Sequence, residues 1–341
     1  MKTISVHEAE GTILCHDITE IVHDKFKGRA FKKGHIICRE DIPKLLDLGK
    51  EHIYVWELDE NTLHENEGAM RIGNAAAGPG LRLSEPSEGK VELKAEISGL
   101  LKIDTGALDE INDIDQIVLA SIHSNQMVTV GKVVAGCRVV PLVIDAEKIR
   151  QVENIGRLNF PVLEIKPLRA LKIGIVTTGS EVYRGRIQDQ FGPVLDKKLT
   201  DLGSRVLRRI FVDDNIAMIS QAIQTLIQEG AEMVITTGGM SVDPDDVTPA
   251  GIRAACGRIV AYGAPVLPGS MFMLAYIGNI PVIGLPGCVM YHKTTIFDLL
   301  VPRILAGEEL TRKDITRLGH GGLCSGCDPC RYPNCSFGKG I

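Results

Sequence analysis

Three glycine-bearing loops, each following a β-like run, hold the residues best suited to chemistry. Thr177-Thr178-Gly179-Ser180-Glu181 follows Lys172-Ile173-Gly174-Ile175-Val176. Thr236-Thr237-Gly238-Gly239-Met240-Ser241 runs on through Asp243, Asp245 and Asp246 to Val247-Thr248-Pro249. Gly284-Leu285-Pro286-Gly287-Cys288 stands directly before a helical stretch. Glycine lets a backbone approach a ligand closely, and free N–H groups at a helix start attract phosphate. Glu181, Asp243, Asp245 and Asp246 lie in the same segments. Carboxylates beside a phosphate repel it unless a divalent cation such as Mg²⁺ intervenes. The combination points to a phosphorylated ligand held with a divalent metal. Taken singly each loop has a plainer explanation: Gly-Gly after a strand is commonly a turn, and Thr248-Pro249 is a good helix N-cap and N1 pair. Three such loops on one sheet carry more weight than any one of them.

A second constellation lies at the end of the chain. Cys324, Cys327, Cys330 and Cys335 are spaced C-x₂-C-x₂-C-x₄-C. Thiolates this close can face one metal, and the intervening Gly326, Pro329 and Pro333 keep the segment from becoming a helix. The spacing is near that of ferredoxin-type Fe–S clusters, and four thiolates also satisfy tetrahedral zinc. His320 is a substitute ligand. The alternatives are a reduced, disordered tail or adventitious metal binding.

The loops need strands to hold them. From Leu171 onward, strand-like runs (172–176, 206–212, 233–235, 259–262, 271–277, 281–285) alternate with helical ones (193–202, 216–228, Pro249–Cys256, and a last helix from about Val289 to Ala306). Strands alternating with helices predict a three-layer α/β domain with a mostly parallel sheet. Ligands in such sheets bind outside the carboxyl ends of the strands, where the three loops fall. No Gly-x-x-x-x-Gly-Lys-Ser/Thr loop occurs, no Gly-x-Gly-x-x-Gly follows the first strand, and Ser241 lacks the glycines of a nucleophile elbow. His292 is expected as an ordinary residue of the last helix.

The preceding half is β-rich. Residues 1–64 form a small α+β region with a helix from Asp41 to Gly49 and a strand from His52 to Trp56. Residues 65–90 are rich in Gly, Ala, Pro and Ser and are expected to be a linker or long loop. Residues 91–165 read as a β-rich domain with a hairpin, 118–122 against 126–130, and a connecting helix over 146–158. The α/β domain spans 168–308. A Cys-rich metal-binding tail spans 318–341, and the last 30 residues show no core pattern.

The chain has 341 residues and a formal net charge of −5, with 44% hydrophobic and 24% charged residues, which excludes a mainly disordered chain. Lys and Arg are dispersed, which argues against nucleic-acid binding. The densest basic stretch, Lys25, Lys27, Arg29, Lys32 and Lys33, reads as the solvated face of a strand pair. No apolar run is long enough to span a membrane, and no signal-peptide core forms near the N-terminus. A cytoplasmic protein is expected. Cys15, Cys38, Cys137, Cys256 and Cys288 are scattered and need no disulfides.

Residues 168–308 resemble the molybdopterin-binding domain shared by the MogA, MoaB and MoeA families of molybdenum cofactor biosynthesis. Thr178-Gly179-Ser180-Glu181, Thr237-Gly238-Gly239-Met240-Ser241 with Asp246-Val247-Thr248-Pro249, Pro268-Gly269 and Gly284-Leu285-Pro286-Gly287 carry the likeness, in the right order and spacing. The longer chain and Thr105-Gly106-Ala107 are similar to the MoeA-type molybdopterin molybdenumtransferases. The resemblance implies molybdopterin or its adenylylated form as ligand, Mg²⁺, molybdate insertion, and a homo-oligomer serving a molybdoenzyme or another cofactor-synthesis protein. It implies catalytic roles for Asp246 and Glu181, and a cofactor site built from Thr178, Gly179, Ser180, Thr237, Gly238, Gly239, Ser241, Gly269, Pro286, Gly287 and Cys288. Three positions depart from the family: Ser180 for an Asp, Phe191 near an expected Asn, and Cys288 for an Asn. These departures favour a non-catalytic carrier or sensor as an alternative. A nucleotide pyrophosphatase of the CinA type, which shares a related domain, is a third.

Overall fold

The computed structural model describes residues 2–22, 26–55, 61–255 and 257–340. Lys25, Trp56 and Cys256 lie outside the described residues. The chain divides into two compact units: Met1–Glu96 with Asp104–Ile122 and Gly131–Glu164, and Ile97–Ile103 with His123–Val130 and Ile165–Ile341.

In the first unit, Val6, Leu14, Ile18, Phe31, Ile37, Leu45 and Ile53 form one small core. Arg29, Lys32 and Lys33 are exposed at and just beyond the antiparallel pair Ile18–Val22/Phe26–Phe31, as a solvated face would be. A four-stranded antiparallel sheet orders Leu81–Leu83, Lys90–Ala95, Val133–Val139 and Ile117–Ser121. Val91, Leu93 and Ala95 alternate inward. The expected linker over 65–90 instead opens with a helix, Glu65–Ala76. The small residues that suggest a loop are its buried face: Gly68, Ala69, Gly73 and Ala76 surround Ile72. A Cβ at Gly73 would lie 2.7 Å from Leu83 Cδ2, so glycine there allows close packing of helix on sheet. His64 caps the helix, its ring accepting from Asn66 N at 3.1 Å. The expected hairpin also does not form. Ile117–Ser121 pairs with Val133–Val139, whereas Met127–Val128 pairs with Leu100 and Gly99 in another sheet. Asn125 N donates to Leu101 O, which carries the chain away from the first strand. The connecting helix runs Ala146–Leu158.

The second unit contains a six-stranded sheet, numbered β1 (Lys172–Thr178), β2 (Arg205–Val212), β3 (Met233–Thr237), β4 (Arg258–Tyr262), β5 (Met273–Ile277) and β6 (Ile280–Leu285). The order is β2-β1-β3-β6-β5-β4. β2, β1, β3 and β6 are parallel, and β5 is antiparallel to both neighbours. Alternation along the strands builds two cores. Ile173, Ile175, Ile235 and Ile283 face helices α1 (Phe191–Asp201) and α4 (Ile296–Leu305). Val176, Val234 and Val282 face α2 (Ile216–Gln228) and α3 (Thr248–Ala255). The result is the expected three-layer α/β fold.

Two local expectations are corrected. The last helix does not begin at Val289: Gly287–Met290 is a 3₁₀ turn, and α4 begins at Ile296 behind a capping box of Thr295 and Asp298. His292 is exposed in the segment between them and belongs to no helix. The end of the chain does hold core residues. Ile315, Leu318 and Phe337 join the core on the α1/α4 side, and Cys324 N donates to Leu267 O at 2.8 Å. Isolated anchors of this kind leave no periodic pattern to detect.

Candidate functional site

β1 sits between β2 and β3, so the chain moves to opposite sides of β1 in successive crossovers. The carboxyl ends of β1 and β3 therefore border the gap where ligands enter such sheets. Thr178 ends β1 with its side chain buried. Its hydroxyl donates to Thr237 O at 3.2 Å and lies 2.9 Å from Thr248 Oγ1. Gly238 follows β3 with φ +87°, and a Cβ there would collide with the Thr178 carbonyl oxygen. Gly239 follows with φ +51°, where a Cβ would meet Thr248 Oγ1 at 2.8 Å. Thr248 N in turn donates to Gly239 O at 3.1 Å. Both glycines are thus required by backbone conformation and by space. Together with Thr178 and Thr248 they form a tight polar crossing between the two loops.

The acidic residues divide into two groups. Asp214, which follows β2, accepts from Ser180 N at 2.9 Å. Partial burial raises its carboxyl above the usual range against the pull of that hydrogen bond, and the charges of Glu181, Asp213 and Asp245 add to the rise. Glu181 is exposed and folds back over Gly179, whose Cβ would lie 2.9 Å from Glu181 Oε1. Asp246 instead accepts from Asp243 N at 3.0 Å and turns its own loop. Asp214 was not among the residues singled out from sequence. It lies in Asp213-Asp214-Asn215, a loop without glycine, but the rule that sites follow parallel strands applies to β2 as much as to β1.

The remaining expected residues are distributed around this crossing. Ser241 is exposed in the same loop, and Thr237 is buried, its hydroxyl donating to Thr177 Oγ1 at 3.4 Å. Met240 is buried and reaches across β6: a Cβ at Gly284 would lie 2.6 Å from Met240 Cε. Pro286 is buried, Gly287 is exposed, and Cys288 is half-buried. Burial pushes the Cys288 thiol up. Gly269, with φ +132°, packs 2.6 Å from Ile296 Cβ at the start of α4 when given a Cβ, and supports that helix end.

The four tail cysteines are free thiols of intermediate exposure. Cys324 and Cys335 rest against the α1/α4 core. Cys327 Sγ accepts from Arg331 N at 3.3 Å, and Cys330 Sγ lies 3.4 Å from Thr294 Oγ1. The Thr294 hydroxyl, with lesser help from Lys293, holds the Cys330 thiol below its ordinary value. Among the described residues, no three His, Cys, Asp or Glu side chains are gathered as metal ligands.

Residues 174–306 match the family model of a probable molybdopterin binding domain. Residues 3–57 match a domain of unknown function, DUF8806. A CinA-like protein of Mycobacterium sp. (strain MCS) is 37% identical over 87 residues, which are 26% of this chain and 21% of that protein. A CinA-like protein of Mycolicibacterium vanbaalenii is 37% identical over 95 residues, 28% of this chain and 22% of its own length. The chain therefore spans about a fifth of the curated relatives it matches. Among solved structures, the molybdopterin biosynthesis enzyme MoaB of Thermus thermophilus is similar at 21% identity and a TM-score of 0.35, covering 40% of this chain and 98% of that one. Over residues 174–306 the chain is thus similar to a probable molybdopterin binding domain, and it is similar in part to CinA-like proteins. Among the described residues, no helix is long and apolar enough to cross a membrane.

Proposed function

We propose that the α/β unit binds molybdopterin, or its adenylylated form, at the gap between β1 and β3 and serves molybdate insertion in the cytoplasm. The observation that carries this reading is the close crossing of Gly238 against Thr178 at the carboxyl ends of adjacent parallel strands. The phosphate would lie over Gly238 and Gly239, with Gly179, Ser180 and Ser241 beside it. Thr178, Thr237, Gly269, Pro286 and Cys288 shape the surrounding loops. Carboxylate oxygens are ligands Mg²⁺ prefers, and Asp214 bears repulsion from Glu181, Asp213 and Asp245 that a divalent cation would relieve, although holding the ion requires these acids to draw closer than the arrangement described. Glu181 and Asp214 are assigned to that ion, and Asp246 supports the loop and the reacting centre. In this assignment Asp214 compensates for the carboxylate absent at Ser180. The four tail thiols are assigned to a zinc ion or an Fe–S cluster, which requires them to draw together from the arrangement described.

The test is molybdopterin binding to the full chain, compared with Asp246→Ala, followed by turnover of adenylylated molybdopterin with molybdate. Binding with turnover in wild type and none in Asp246→Ala is expected. Binding without turnover would favour the carrier or sensor, the reading to which Ser180, Phe191 and Cys288 point. No binding by folded protein overturns the proposal. The CinA-type reading is favoured by the 37% identity to CinA-like proteins. Release of AMP from ADP-ribose without any pterin would establish it.

A further inference from the structure

A cavity of about 730 Å³ lies in the second unit, beginning at Met290 where the Gly287–Met290 turn ends. Its walls are α1, α4, the Met290–Lys293 segment, Met127 and the tail residue Tyr332. None of Thr178, Gly179, Gly238, Gly239 or Gly287 lines it. The volume is in the range of small-molecule sites, roughly 300–1,000 Å³. Val194, Leu202, Met290, Phe297 and Pro302 make the interior largely apolar.

The charges around it are uneven. Lys197 pairs with Asp201 at 3.1 Å, and Lys198 with Asp298 at 2.5 Å. Within each pair the charges cancel. Lys293 is left at the same cavity, exposed, and among the described residues no carboxylate pairs with it. Tyr291 stands beside it with 77% of its surface exposed, large for an aromatic ring in a folded protein. An exposed ring and an unpaired ammonium over an apolar floor can stack a planar body and hold one negative group. Tyr332 fixes the opposite wall, its hydroxyl donating to Asp298 O at 3.2 Å.

We propose that this cavity is a second ligand site, for a small amphiphilic anion: a ring-sized apolar body carrying a single carboxylate, sulfonate or phosphate. The apolar body occupies the space between Val194 and Phe297, the ring of Tyr291 covers it, and Lys293 takes the charge. The site is independent of the pterin assignment, because no residue of the β1/β3 crossing contributes to it.

The probe is 8-anilinonaphthalene-1-sulfonate, titrated by fluorescence into the folded full chain, with near-ultraviolet circular dichroism to confirm native packing in every variant. One saturable site per chain is expected. Lys293→Glu should weaken it at least fivefold, and Val194→Trp, which fills the cavity from the half-buried face of α1, should weaken it at least as much. Lys313→Glu, an exposed charge reversal outside the cavity, should leave it unchanged. Non-saturating binding overturns the proposal, as does a saturable site that neither Lys293→Glu nor Val194→Trp weakens.

Discussion

Gly238 is the residue at which one added methyl has the largest effect on the candidate site. Its φ of +87° disfavours any side chain, and the Thr178 carbonyl oxygen occupies the space a Cβ would need. Gly238→Ala is expected to cost about 1–3 kcal/mol in urea denaturation and to abolish molybdopterin binding. Gly278 is the control: its φ is +56° but a Cβ would meet open space. Gly278→Ala should cost about 1 kcal/mol or less and leave binding intact. Asp214 gives a prediction of opposite sign. Its folded-state carboxyl is raised, by burial first and then by neighbouring acids, so near pH 7 the folded state bears a charge it disfavours relative to the unfolded chain. Asp214→Asn keeps an acceptor for Ser180 N and removes that charge. The variant should melt higher than wild type at neutral pH. The difference should fade as pH falls through the raised Asp214 value, where wild type gains the relief by protonation. Mg²⁺ affinity should drop in the same variant, read by calorimetric titration.

At the scale of elements, the end of the chain is part of the second unit's core and not an appendage. Phe337 is 2% exposed and packs with the residues that α4 and α1 bury. Phe337→Ala is expected to cost about 3–5 kcal/mol, measured by denaturant unfolding; a change below 1 kcal/mol would show that the tail is not docked in solution. Removing the tail to study ligand binding therefore also removes core, and point substitutions of the cysteines separate the two effects better. A buried ion network closes α4. Arg303 Nη2 holds Glu308 and Asp314, each at 2.8 Å, and Lys102 lies 2.8 Å from Glu308 Oε1. Burial opposes ionisation of Glu308, but the hydrogen bonds from Arg303 and the charge of Lys102 beside it prevail and hold it below the usual carboxylate range. Asp314 is likewise opposed by burial, yet its bonds from Thr311 and Arg303 bring it to about 2. Depressed carboxylates contribute stability that is complete above their unfolded values of about 4 and is lost as pH falls through the folded values. Thermal melts should therefore show stability declining between about pH 5 and pH 2, and Arg303→Met should flatten that decline.

At the scale of the whole molecule, residues 174–306 match the model of a probable molybdopterin binding domain, while 3–57 match a domain of unknown function. A homo-oligomer is proposed from the family resemblance, and light scattering should give a mass at least twice the 37.0 kDa of the chain; a monomer at micromolar concentration would refute it. Bound molybdopterin should raise the unfolding temperature in proportion to the logarithm of its concentration.

How far the sequence was legible follows from which interactions are local. The central strands between Lys172 and Leu285 were readable as continuous apolar runs, buried on both faces, and the helices by a face that repeats about every 3.6 residues; the loop motifs were readable because glycine and carboxylate types are visible one at a time. Where periodicity fails, so did the sequence. The helix Glu65–Ala76 is made of small residues that look like a linker until Leu83 and Val91 are seen against them. The two strands near Ser124 look like a hairpin until their partners are known. Phe337 gives no sign of being core until α4 is placed beneath it. The placement of Asp214 against Ser180, 34 positions earlier, was set by parallel pairing of β1 with β2. Local chemistry determined which residues could bind and which elements could form. Long-range packing, whose partners are far apart in the chain, decided which of those residues meet.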